Sequence, residues 1–312
     1  MKMLTGVFDF SRFFAVAVAA ASSLACASGA LATGPNLVSQ AALIIDAKTG
    51  EPIYAKNSAH VTPIASITML MTAIVVLDAD QFLDEKLSIG LEDLDFLKGS
   101  RSKLSIGETF TRREMLTLAL MSSENRAANA LGRYYPGGYP AAVRAMNAKA
   151  KALGMEQTHF VDTTGLSPQN VSTAKDLAVL VTAANQYPLI SSLSTQREQL
   201  LTSDETGRTY RFGNSNGLVK TDGWDISLQK TGFISEAGRC VVMLAKIAQR
   251  PVIMVLLDSV GKFSRIGDAN RIKTWMETGE VLEIPKPVVY KKVKAKRGVK
   301  ASGKKVVKKR RR

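Results

Sequence analysis

Histidine and cysteine are nearly absent: the 312 residues contain two of each. His60 and His159 have no second ligand at helical or hairpin spacing, so no metal site is expected, and no cofactor is called for. Two cysteines cannot make a disulfide scaffold. Acidic residues are missing from one region only. Residues 286–312 hold 14 Lys and Arg without a single Asp or Glu, whereas the preceding 285 residues balance 28 basic against 27 acidic side chains. The net charge of +15 therefore belongs to a tail attached to a nearly neutral body. Long apolar runs are also scarce. After residue 32 none reaches the length needed to span a bilayer, which excludes a multi-pass membrane protein. What remains, 46% hydrophobic and 22% charged, is the composition of a folded domain with ample core.

Residues 1–32 read as an export signal. Lys2 and Arg12 precede an apolar stretch from Phe13 to Ala27, and Ala30-Leu31-Ala32 places small residues where a signal peptidase cuts, before Thr33. The stretch is rich in Ala and broken by Ser22, Ser23 and Ser28, which argues against a retained anchor. Ser23 also stands where a lipoprotein signal at Cys26 would want a large aliphatic residue. Removal of Cys26 leaves Cys240 alone in Cys240-Val241-Val242-Met243-Leu244, a buried-strand pattern rather than a reactive thiol. The expected location is the periplasm.

From Ala41 two β-prone runs around Lys48-Thr49-Gly50 predict a hairpin. Apolar residues at helical spacing follow from Ser66 to Ala79. Residues 82–160 read as a largely helical subdomain, with helix-prone segments at Arg113–Leu120, Ala127–Tyr134 and Ala141–Leu153 and extended pieces around Leu104–Phe110. Thr173 and Asp176 have capping-box spacing and open a helix to Asn185. Asp225–Phe233, Arg239–Ala248 and Pro251–Leu257 read as three consecutive strands, with a closing helix at Arg271–Gly279. Strands at both ends with helices between predict an α/β (α+β) domain over 33–285: one central antiparallel sheet flanked by helices. The tail, 286–312, has too little apolar surface to fold.

Three short strings carry the chemistry. Ser66-Ile67-Thr68-Met69 opens an apolar helix, Ser123-Glu124-Asn125 follows another, and Lys230-Thr231-Gly232 lies in a strand. Order and spacing match the S-x-x-K, S-x-N and K-T-G set of penicillin-recognising serine acyltransferases, with one defect in the first. With Pro63–Thr68, Leu118–Ala128, Tyr135-Pro136-Gly137-Gly138-Tyr139, Thr164-Gly165-Leu166 and Asn170–Ala174, the chain resembles the low-molecular-mass penicillin-binding proteins, in their periplasmic D-alanyl-D-alanine endopeptidase branch, from about Val38 to Gly279.

The resemblance implies the penicillin-binding/β-lactamase-like serine transferase fold and action on D-Ala-containing peptidoglycan stem peptides through an acyl-Ser66 intermediate. Ser123 would relay protons and Asn125 would hold the substrate amide. Lys230 and Thr231 would face its carboxylate, and Gly232 would leave room for it. β-Lactams would be ligands if Ser66 can be acylated. The defect is Met69, which stands where the family has its general-base lysine. A thioether is too weak an acceptor to take the serine proton, and losing a general base costs about 10²–10⁴-fold in rate. Recruiting Lys230 through Ser123 in its place would need a depressed pKa and a new proton path. Two readings follow: an impaired peptidase, or a non-catalytic relative that binds peptidoglycan or envelope partners. A β-lactamase is disfavoured because no Glu has the spacing of a deacylating base before Asn170.

Taken singly, several residues read as ordinary. Glu124 is expected to face solvent without a role; Arg239 and Arg265 could help bind a carboxylate, but each reads more simply as a surface cation and is left outside the site. The basic tail of an exported protein points to an anionic envelope surface rather than to nucleic acid.

Overall fold

The computed structural model describes residues 34–285; the expected export signal over 1–32 and the basic segment over 286–312 lie outside them. Five strands form one antiparallel sheet. β1 (Ala41–Asp46) and β2 (Pro52–Lys56) make the expected hairpin. β9 (Asp225–Ile234), β10 (Gly238–Ile247) and β11 (Arg250–Ser259) complete the sheet in the order β2-β1-β11-β10-β9. The first strand of the chain thus pairs with the last, Ala41 opposite Leu257 and Asp46 opposite Val252.

Both faces of the central strands are buried, which is why they read as continuous apolar runs. Alternation sorts them. Leu43, Val242, Leu244, Ile253 and Val255 join the larger core beneath the helices. Ala42, Ile44, Val241, Met243 and Met254 face Ala269 and Ile272 of α7 (Ser264–Thr278) on the other side. That helix begins seven residues before the expected Arg271. Asp268 in its first turns accepts from the Val38 and Ser39 amides at 2.9 and 2.7 Å, tying it to the start of the domain.

The larger core is organised by α1 (Thr68–Asp78), which is buried on every side. Around it lie α2 (Arg112–Thr117), α3 (Asn125–Arg133), α4 (Gly138–Ala152), α5 (Ala174–Ala184) and α6 (Pro188–Thr195). Thr173 caps α5 by accepting from the Asp176 amide at 3.1 Å. Only half of the expected capping box forms, because the Asp176 carboxylate turns away to Gln157 N and Thr158 Oγ1. Three minor ribbons complete the fold: β3 (Thr62–Pro63) with β6 (Val171–Ser172), β4 (Lys86–Ser88) with β5 (Thr109–Thr111), and β7 (Glu198–Thr202) with β8 (Thr209–Gly213). Of the extended residues expected around 104–110, only Thr109 and Phe110 lie in a strand.

Two consequences matter for function. β9 is an edge strand, and its outer edge meets the turn that precedes α1. The three motifs therefore converge where the sheet edge meets the buried helix.

Candidate active site

Ser66 does not cap α1. It occupies a single 3₁₀ turn, Ala65–Ile67, which leads into the helix. Ala65 sits at φ +48°, a left-handed conformation that costs energy without a glycine. The surroundings hold it there. Thr68 Oγ1 donates to Ala65 O at 2.8 Å, and Asn170 Nδ2 donates to Thr68 Oγ1 at 3.0 Å. Asp162 accepts from Thr164 N and Ser167 N at 2.7 and 2.8 Å, fixing the loop that carries Gly165. A Cβ on Gly165 would lie 1.9 Å from Ala65 O, and one on Gly232 would lie 3.1 Å from Ser66 N. Two glycines thus clear the space beside the Ser66 amide, where negative charge would develop during acyl transfer. The Ser66 side chain is half-buried and its Oγ has no hydrogen-bond partner among the described residues.

Met69, one helical turn on, is fully buried, with its Sδ 3.9 Å from Ser123 Oγ. Met fills the space between the helix and that hydroxyl without supplying a base.

Ser123 is delivered by an irregular turn. After α2 the chain makes a π-helical turn over Leu118–Ser122, and Ser123 adopts φ 63°, ψ 39°. This left-handed residue breaks the helix and turns its hydroxyl into the cleft. Glu124 then caps α3, accepting from the Arg126 amide at 3.2 Å. Contrary to expectation Glu124 is buried, and that burial raises its carboxyl pKa. Its role is to restart the helix behind Ser123. Asn125 donates to Ser100 Oγ at 2.9 Å, and its Oδ1 is buried without a partner, an acceptor left open for a ligand amide. It adjoins a groove of about 290 Å³ whose walls include Asn129, Tyr139, Thr164 and Leu166.

Lys230 on β9 is fully buried. Its Nζ donates to Ser123 Oγ at 2.6 Å and to Thr231 O at 2.9 Å. Burial, with the nearby Arg265 charge as a second cause, pushes its pKa down to about 7. Thr231 Oγ1 shares a hydrogen bond of 2.7 Å with Ser215 Oγ, and Ser215 donates on to Met121 O at 3.1 Å. Sequence reasoning missed Ser215; its one signal, a polar Asn214-Ser215-Asn216 string, is indistinct from a loop.

Arg265 corrects the expectation of a surface cation. From the first turn of α7 it donates through Nη1 to Gly232 O at 2.9 Å and to Cys240 O at 3.3 Å. Its Nε is buried without a partner. Burial and, behind it, the charge of Arg239 lower its pKa to about 10. Arg239 itself stacks over the Phe233 ring, 4.4 Å from the centroid. Cys240 is buried in β10, and burial pushes its thiol up to about 11. Lys98 Nζ reaches Glu236 Oε1 at 2.5 Å, linking the loop that bears Ser100 to the β9–β10 turn.

The structure thus brings together Ser66, Met69, Ser123, Asn125, Lys230, Thr231 and Gly232, and adds Arg265 and Ser215. The chain is 46% identical over 295 residues to a D-alanyl-D-alanine endopeptidase of Escherichia coli (strain K12), covering 94% of this chain and 95% of that one. It is 49% identical over 250 residues to a D-alanyl-D-alanine endopeptidase of Pseudomonas aeruginosa, covering 80% and 81%. Among solved structures it superposes on the Streptomyces K15 DD-transpeptidase with a TM-score of 0.73 at 27% identity, covering 78% of this chain and 98% of that one. Penicillin-binding protein D2 of Listeria monocytogenes, in its cefotaxime-bound form, gives a TM-score of 0.68 at 30% identity, covering 77% and 97%. The profile of peptidase S11, D-alanyl-D-alanine carboxypeptidase, matches residues 29–261, and the chain belongs to that family.

Proposed function

We propose that this protein is an exported D-alanyl-D-alanine peptidase of the endopeptidase/carboxypeptidase type, acting on peptidoglycan stem peptides through Ser66, with acyl transfer slowed by Met69. The stem peptide would lie along the β9 edge, its amide at Asn125 and its carboxylate at Thr231 and Arg265. The Ser66 hydroxyl would attack the D-Ala carbonyl, the leaving amine would depart with a proton, and water would release the acyl group. The 46–49% identity to two endopeptidases supports the substrate class.

The observation that carries the impairment is the 3.9 Å approach of Met69 Sδ to Ser123 Oγ. A lysine amine there would accept a proton; the sulfur does not. Periplasmic residence follows from the leader, and the basic tail is assigned to anionic envelope surfaces.

The same observation favours a second reading, a stem-peptide or envelope binder without turnover. Intact mass after incubation with a β-lactam separates the two. A slow adduct that disappears in Ser66→Ala and forms faster in Met69→Lys supports the impaired peptidase. No adduct on the native chain, with one on Met69→Lys, favours the binder. An adduct that forms as fast on the native chain as on Met69→Lys refutes the impairment.

A further inference from the structure

With position 69 occupied by a thioether, the cleft still contains one amine, and it is already bonded to the serine hydroxyl of the second motif. We propose that Lys230, acting through Ser123 Oγ, is the proton acceptor for Ser66 in this chain. The inference deepens the peptidase reading above and rests on it.

The geometry supplies a path. Lys230 Nζ lies 2.6 Å from Ser123 Oγ and 2.9 Å from Thr231 O. A neutral amine in that position donates one hydrogen to Thr231 O and turns its lone pair to the Ser123 hydroxyl. Ser123 Oγ is then free to accept from Ser66, since its remaining neighbour, Met69 Sδ, neither donates nor holds a proton usefully. The Ser66 hydroxyl has no competing partner among the described residues. The Ser66 and Ser123 hydroxyls are not hydrogen-bonded to each other here, so the path requires them to meet when substrate binds, as catalytic hydrogen bonds that are long without substrate commonly do.

Charge favours the neutral amine. Lys230 is fully buried, and no carboxylate is within salt-bridge reach of it among the described residues. The charge facing it comes from Arg265 on α7, with Arg239 of β10 behind; Glu124, next to Ser123, is turned to the Arg126 amide. Arg265 also relieves Lys230 of a second duty. With its own cation beside Gly232 O, Arg265 can pair with the substrate carboxylate, leaving the lysine free to cycle its proton.

The step balances. Ser66 Oγ forms a bond to the D-Ala carbonyl carbon as its proton passes to Ser123 Oγ and the Ser123 proton passes to Lys230 Nζ. Collapse breaks the amide C–N bond, and the leaving nitrogen takes a proton back along the same path. Deacylation repeats the sequence with water in place of Ser66.

The test is the second-order rate of benzylpenicillin acylation of the full mature chain, followed by intact mass from pH 5.5 to 9, which reports the free protein. The expected rate rises about tenfold per pH unit and levels above an inflection close to 7. Lys230→Arg, which stays protonated, should lose about 10²-fold or more and show no inflection. Arg265→Gln should move the inflection upward, a shift that a merely structural lysine would not produce. A native rate flat across pH 7, an unchanged profile in Lys230→Arg, or no adduct at any pH overturns the proposal. Titration with an acyl-D-Ala-D-Ala tripeptide separates the two failures. Binding without acylation overturns the relay and keeps the stem-peptide reading, whereas neither binding nor acylation overturns both.

Discussion

Lys230 Nζ lies 2.6 Å from Ser123 Oγ, while the residue that should share that hydroxyl, Met69, offers only a sulfur at 3.9 Å. The second and third motifs are therefore already joined, and the first is joined to them by packing alone. Replacing Met69 with lysine tests how much the missing amine matters. Met69→Lys should accelerate β-lactam acylation by about 10²–10⁴-fold. It would also place a second amine near Lys230 and lower that lysine's pKa further, so the pH at which acylation levels should change as well. Rate against pH for the two chains checks both outcomes.

The turn bearing Ser66 depends on absent side chains. At Gly165, φ is +81° and a Cβ would meet Ala65 O at 1.9 Å, a backbone contact that cannot yield cheaply. Gly165→Ala should lower stability by about 2–4 kcal/mol, visible as a fall in Tm, and should displace Ser66. Gly232→Ala is different in kind. Its Cβ would lie at 2.9–3.1 Å from Ile64 O, Ala65 Cβ and Ser66 N, a much milder overlap than at Gly165, but one that obliges the backbone around Ser66 to move. It should keep most of the stability while acylation falls, because the crowding is at the amide that would hold the oxyanion.

These contrasts show what a sequence can reveal. Ser66, Ser123 and Lys230 each head a contiguous string, and β10 and β11, which lie beside β9, are continuous apolar runs bounded by turn residues, so motifs and sheet were legible together. Arg265 could be named as a possible carboxylate binder but not placed in the site, because what puts it there is the approach of α7 to the Gly232 carbonyl across more than thirty residues. Glu124 misled for a related reason. A charged residue between two loop-like neighbours reads as exposed, yet the left-handed Ser123 swings it inward to cap α3. The β7–β8 ribbon was overlooked because its strands are polar, with exposed Glu198, Thr202, Thr209 and Arg211 obscuring the buried Leu201, Tyr210 and Phe212.

The tail can be tested apart from the cleft. Fourteen cations over 286–312 should hold the protein at an anionic surface through interactions that salt screens. Washing envelope fractions with about 1 M salt should release the full chain, and removing residues 286–312 should make it soluble at low salt without altering β-lactam acylation. Retention after the salt wash would show that something other than charge holds it.

The depressed pKa of Lys230 has a consequence for stability that needs no substrate. In the unfolded chain this lysine holds its proton up to its ordinary value of 10.5, whereas in the folded chain it releases it at about 7. Between these values the unfolded state binds more protons, so stability should rise with pH. Below pH 7 both states are protonated and folding bears the full cost of burying the cation. From pH 7 to 9 the gain should approach about 2–3 kcal/mol. Above pH 9 Cys240 acts in the opposite direction. Its thiol is held up to about 11 by burial and ionises first in the unfolded chain, so the rise should flatten there. Denaturant unfolding of the native chain and of Lys230→Met at pH 6, 7, 8 and 9 checks the sign. The native midpoint should climb relative to the variant's across this range, and parallel curves would mean that Lys230 stays protonated in the fold.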